Sequence, residues 1–205
     1  MEELTSKNYA GEIIPDVSEL LKEIAQLTKN LSSLKHYGFF DLFNQIEKNG
    51  VNEYYRKEEL WRDEIKYNTW DKNAWDELDK PEGERRKMNE VKGLYIFYED
   101  NKPIYIGISR SILKRLKSHF LGKIHNEATL AYIMIRHKHE GAHGFYNGER
   151  ANLDLFKSDR TLLQKEMMTN WKIAIIPETD NYKMYFFEIY LACHLKTIWN
   201  SFETH

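Results

Sequence analysis

The sequence predicts an α/β fold: a small, mostly antiparallel three-stranded sheet flanked by helices and preceded by a helical N-terminal region. Three observations carry this. Residues 93–109, GLYIFYEDNKPIYIGIS, hold two runs of aliphatic and aromatic residues around a polar turn, the pattern of a hairpin. WKIAIIPE (171–178) is a third apolar run, stopped by Pro177. Helical patterns fill the remainder, so the second half runs strand, strand, helix, helix, strand, helix.

The elements follow in order. In residues 18–36, Leu20, Ile24, Leu27, Leu31 and Leu34 recur at spacings of four and three, one face of a helix, with Ser18 as N-cap and Pro15 upstream. Residues 39–48 read as a short helix ending near Asn49-Gly50, and 52–78 as helices whose Trp61, Trp70 and Trp75 dock on the first. DKPEGERRKMNE (79–90) reads as a boundary. Residues 1–90 thus form one region and 91–205 a second. After the hairpin, SRSILKRLKSHFLGK is a helix with an apolar stripe of Ile112, Leu113, Leu116 and Phe120, and ATLAYIMIRHKH is another. GAHGFYNGERANLDLFKSDR reads as loop, and NYKMYFFEIYLACHLKTIW as a final apolar helix. Cys193, the one cysteine, lies among Leu191, Ala192 and Leu195 and reads as a small buried hydrophobe.

Composition narrows the class. With 41% hydrophobic and 30% charged residues and no apolar run of transmembrane length, the 205-residue chain is expected to be soluble, without a membrane partner. One cysteine excludes an internal disulfide, and MEELTSKNYAGE has no apolar signal region, so the cytoplasm is expected. The net charge of −2 hides an asymmetry: residues 1–90 carry 14 basic and 20 acidic side chains, residues 91–205 carry 16 and 12. An acidic half and a basic half suggest separate jobs.

Three places could carry chemistry. Between Ser109 and His125 the chain holds Arg110, Lys114, Arg115, Lys117 and Lys123 and no acid. A solvated basic face would suffice to explain this. The missing acids favour phosphate binding. Arg115 and His119, four apart, share a helical face bordering the apolar stripe. Glu188 lies in MYFFEIYLACHL, with Leu191, Ala192, Leu195 and Trp199 on its own stripe. A carboxylate there needs a partner, either an arginine or a metal ion. One carboxylate plus waters suits magnesium. Tyr95 and Tyr105 are the third. A tyrosine in a strand is usually core. A three-residue hairpin loop would put both on one face, and a two-residue Asp100-Asn101 turn would split them.

Gly93-Leu94-Tyr95 and Tyr105-Ile106-Gly107 resemble the paired signature of the GIY-YIG nuclease family, with Leu94 in place of isoleucine. The resemblance continues in order through Arg115, His119, Glu188 and Asn200. It covers about 93–204, with 124–165 as an insertion. It implies a metal-dependent endonuclease acting on nucleic acid, double-stranded DNA by default. Tyr95, with Tyr105 or His119 assisting, would help deprotonate the attacking water. Glu188 would hold Mg2+ or Mn2+, and Arg115 would neutralise phosphate oxygens in the transition state. Arg110, Lys114, Lys117 and Lys123 would grip the backbone. Gly93, Gly107 and Asn200 are motif positions, the asparagine fixing the end of the last helix. Residues 1–90, too acidic to be the main nucleic-acid surface, would serve a protein partner or self-association.

Two rivals remain. A non-catalytic nucleic-acid-binding module on the same fold would keep the basic helix but need neither Glu188 nor Tyr95. His139-Glu140-Gly141-Ala142-His143 is a formal HExxH, the zinc-protease pattern. Gly141 inside the would-be helix costs about 1 kcal/mol, and no third ligand stands out.

Overall fold

The computed structural model describes residues 7–8, 12–43, 91–124, 127–139 and 157–202. Trp61, Trp70 and Trp75, the 79–90 boundary and the Glu140–His143 part of the HExxH pattern lie outside them.

Four strands form one antiparallel sheet in the order β1-β4-β2-β3: β1 (Tyr37–Gly38), β2 (Gly93–Glu99), β3 (Lys102–Ser109) and β4 (Lys172–Pro177). The fourth strand is the two-residue β1, which pairs Tyr37 with Ile173 and so ties the N-terminal region to the sheet. Both faces are covered. Tyr95, Phe97, Ile173 and Ile175 point into a core with α2 (Ile112–Leu121), α3 (Thr129–Lys138), α4 (Lys157–Asn170) and helical residues 39–43. Leu94, Ile96, Ile106 and Ala174 point into a second core with α1 (Val17–Asn30) and α5 (Asn181–Leu195). Strand alternation therefore sorts the hairpin's side chains between two helical layers.

The hairpin closes through the two-residue Asp100-Asn101 turn, both residues at positive φ (48° and 61°), as a type I′ turn requires. Glu99 pairs with Lys102 and Tyr98 with Pro103, but the next pair is Phe97 with Tyr105. Ile104 is the extra residue of a β-bulge. The turn alone would have sent Tyr95 and Tyr105 to opposite faces. The bulge shifts the register by one and returns them to the same face. Tyr95 pairs with Gly107 and Tyr105 with Phe97, so the two rings are diagonal neighbours, 6.2 Å apart.

β3 is an edge strand, which is why Pro103 is tolerated in it. Its edge is covered by the segment after α5. Trp199 N–H donates to Ile104 O (3.1 Å), and the Asn200 side chain accepts from Ile106 N–H (2.9 Å) and donates to Ile106 O (2.8 Å). An amide that both donates and accepts along an open edge stands in for a neighbouring strand.

Three expectations are corrected. The cap of α1 is Asp16, whose Oδ1 accepts from Ser18 N–H at 2.6 Å, so Ser18 is inside the first turn. Cys193 is exposed, because α5 buries Met184, Phe187, Leu191 and Ala192 and turns Cys193 outward. And α4 begins inside the stretch expected as loop, at Lys157. Its inward residues are Arg160, Gln164 and Met167, two of three polar, so apolar periodicity is broken. Arg160 donates to Lys123 O, and Gln164 Nε2 to Gly122 O (2.9 Å) and His119 O (3.2 Å), which satisfies carbonyls where α2 ends.

Gly93 sits at φ +148°, and a Cβ there would lie 2.2 Å from Ile176 O. Gly93→Ala is expected to destabilise the fold by about 3 kcal/mol or more, combining backbone strain with a collision against the sheet's own backbone. The midpoint of denaturant unfolding measures this.

Candidate active site

The site grows from one close approach. Gly107 lies opposite Tyr95, and a Cβ on it would fall 2.5 Å from the Tyr95 hydroxyl and 3.0 Å from the Tyr105 ring. The missing side chain is the space that the Tyr95 phenol occupies. The glycine that follows the second tyrosine is thus needed by the first.

Filling that space brings Tyr95 Oη to 2.7 Å from His119 Nε2. Tyr95 is 1% exposed and His119 is fully buried, enclosed by Phe97 and Tyr105. Burial, and secondarily the Arg115 charge, hold the imidazole well below its usual pKa, so it is neutral. Its Nδ1 has no hydrogen-bond partner among the described residues. A bare buried N–H is costlier than a bare lone pair. The proton therefore belongs on Nε2, which donates to Tyr95. The Tyr95 O–H is left to donate onward, and the Tyr105 hydroxyl is the group it acts on.

Tyr105 is the partly exposed end of this chain. Its pKa is raised, first by burial; the Arg115 guanidinium opposes this, the Glu188 carboxylate adds to it, and hydrogen bonding with Tyr95 and Arg115 opposes it. Tyr95 is raised well above the usual phenol value, first by burial and then by Tyr105, with Arg115 opposing. Arg115, on the α2 turn before His119, thus faces both hydroxyls. Its Nη1 also reaches Glu127 O at 3.5 Å, and it has no acidic partner among the described residues.

Glu188 comes from the other helical layer. It sits on α5, which packs against β3, and reaches the edge of that strand at the Ile108 N–H. It is partly buried, and desolvation raises its pKa to about 7 while the Ile108 N–H opposes the shift. No basic side chain of the described residues pairs with it. The structural Arg–Glu pair that could have explained this carboxylate is not formed by Arg115. A half-desolvated anion without a cation fits a metal ligand, with waters completing the shell. Among the described residues no group of three or more potential ligands gathers, so any ion would rest on this carboxylate and water.

The structure therefore brings Tyr95, Tyr105, Arg115 and His119 together, and Glu188 to their margin. Of the other basic residues, Arg110 and Lys123 are exposed, Lys114 and Lys117 partly so. Asn200 stands apart from the chemistry, bonded to β3 and to Thr197 Oγ1 (2.8 Å). His139, the described end of the HExxH pattern, has Nε2 at 2.7 Å from Asp159, outside the tyrosine cluster. Sequence reasoning missed Gln164 and Arg160, which brace the end of α2. Nothing in their spacing marks them, since polar residues at i and i+4 are ordinary on an exposed helix.

Residues 91–190 match the family model described as the GIY-YIG catalytic domain, a nuclease-type domain acting on nucleic acid. Comparison with curated proteins and with solved structures gives no match. No helix among the described residues is long and apolar enough to cross a membrane.

The raised pKa of Glu188 has a sign that can be measured. Folded, it keeps its proton over a range where the unfolded chain has released it. Its contribution to stability is therefore lost as pH rises from about 4.5 to about 7. Without divalent cations, Glu188→Gln should melt with the wild type at acid pH and above it at alkaline pH. Equal midpoints at both would mean the carboxylate is not desolvated.

Proposed function

We propose, from the match of residues 91–190 to the GIY-YIG catalytic domain, that the protein is a metal-dependent endonuclease that hydrolyses phosphodiester bonds in double-stranded DNA. One observation supports it above the others: Tyr95, Tyr105 and His119 gather on one face of the sheet beside Arg115, and Glu188 approaches from the helix packed on the same edge strand. A base, a phosphate-binding cation and a metal ligand thus act on one small volume.

The roles follow from exposure. Tyr95 is too buried to meet water, so Tyr105 takes the attacking water's proton and Tyr95 stands behind it. The hydrogen bond from Tyr95, oriented in turn by His119 Nε2–H, and the charge of Arg115 stabilise the Tyr105 phenolate that this requires. Arg115 also binds the phosphate oxygens and stabilises the charge that builds on them. Glu188 would hold Mg2+ or Mn2+, which would offset charge on the phosphate and leaving oxygen and, by offsetting the carboxylate, favour the phenolate. Arg110, Lys114, Lys117 and Lys123 would follow the backbone, and the acidic residues 1–90 would serve a protein partner or self-association.

Incubation with supercoiled plasmid, with and without magnesium, tests the reading. Wild-type protein should nick or linearise the plasmid only with the cation. Glu188→Gln should lower cleavage by about 100-fold or more, as expected when a charge acting in the transition state is removed. Arg115→Ala should reduce cleavage far more than DNA affinity, because one phosphate contact among several is a small share of binding. Equal losses in both measurements would instead mark a non-catalytic nucleic-acid-binding module.

A further inference from the structure

Between α3 and α4, closed on one side by the segment after α5, lies a cavity of about 380 Å³. Its walls include Met134, Ile135, Leu162, Leu163 and the Trp199 indole. The volume is at the low end of the ~300–1,000 Å³ usual for small-ligand sites. Nothing in the mechanism above uses it.

Its position ties it to the active site. Trp199 N–H bonds to Ile104 O, and Asn200 pairs with Ile106, so this wall is fastened to the two residues that flank Tyr105. Trp199, Met134 and Leu163 pack against the same core layer as Tyr105.

Its chemistry selects the part of a nucleotide that could enter. Indole and aliphatic surfaces offer stacking to a flat ring. His137 stands edge-on to the indole, centroids 5.5 Å apart, and forms part of the same wall. The acids on the lining are Asp159 and Glu166. Asp159 is already held by His139 (2.7 Å) and Lys138 (3.2 Å). Glu166 is exposed at the rim, an acceptor suited to an exocyclic amino group. Lys138, which also lines the cavity, is engaged with Asp159, so the open rim group is the Glu166 carboxylate, which disfavours phosphate there; the backbone would stay at the basic α2 and the base would turn in.

Resting on the nuclease reading, we propose that this cavity is a base pocket: it receives one unstacked nucleobase next to the scissile phosphate. A concave site admits only a base that has left the stack, so the favoured substrate has an unpaired or easily unpaired nucleotide beside the cut.

The test compares two labelled DNA duplexes in EDTA by fluorescence anisotropy. One carries a single-nucleotide bulge, and the other an abasic nucleotide at the same bulge. Wild-type protein should bind the first at least about fivefold more tightly, the low end expected of one aromatic stack. Trp199→Ala should remove that difference. So should Leu162→Glu, which places a charge at a rim position that is 66% exposed and leaves the core untouched. Should Trp199→Ala fail to fold, Leu162→Glu decides. Equal wild-type affinity for the two bulges, or a difference that survives in Leu162→Glu, overturns the pocket. Magnesium-dependent plasmid nicking without base-dependent binding would overturn the pocket and leave the nuclease standing. Base-dependent binding by a protein that nicks nothing would support the pocket and remove the nuclease.

Discussion

Between the Asp100-Asn101 turn and the Phe97–Tyr105 pair, β3 carries one residue more than β2, and that residue, Ile104, sets the face on which Tyr105 lies. A side chain in a strand has only two directions to choose from, so a shift of one residue is a complete reversal. Without the bulge, Tyr105 would point into the α1–α5 layer, away from Tyr95, Arg115 and His119. With it, two phenols, a guanidinium and an imidazole share one side of the sheet. The bulge is fixed from outside as well, since Trp199 N–H is bonded to Ile104 O. The segment after the last helix therefore supports the register on which the site depends.

The same side of the sheet has to hold polar groups in a dry core, which is costly unless each is paired. The hydroxyl of Tyr95 is paired through Gly107's missing side chain and His119 Nε2, and the α2 carbonyls through Gln164 and Arg160. The His119 Nδ1 lone pair is left over. A group left unsatisfied in an otherwise completed network fits a site arranged for orientation, not for stability alone. Neutral and fixed, the imidazole aligns a phenol; it is too dry to carry charge itself. This separates the two roles that a histidine beside a tyrosine could have.

Legibility from sequence followed the kind of signal each element carries. The hairpin, α1, α2 and α5 bury apolar stripes, and their periodicity was visible because the hydrophobic effect both writes the pattern and builds the element. The start of α4 was not visible, since Arg160 and Gln164 face inward to serve α2's carbonyls. Cys193 misled because its apolar sequence neighbours lie on another face of α5. The side shared by Tyr95 and Tyr105 could not be decided, because a bulge leaves no mark in composition. The resemblance named the site residues in order, but not their depth. That Tyr95 is sealed and Tyr105 partly open depends on Phe97 and His119 packing against the first, with Phe120 and Trp171 packed in turn on Phe97.

Glu188 shows why the site lies at the sheet's edge. It belongs to α5, whose buried residues fill the layer opposite Tyr95. A carboxylate in that layer can influence a phenol on the other face only by reaching round the last strand, and β3 is that strand. At the edge, the Ile108 N–H is available to it and water can reach it, as the proposed cation would require. In the middle of the sheet the same carboxylate would be screened by two strands and left without solvent. Under the proposed mechanism, the phenol that meets water belongs on the edge strand and the one behind it on the neighbouring inner strand. Tyr105 and Tyr95 occupy those two strands in that order.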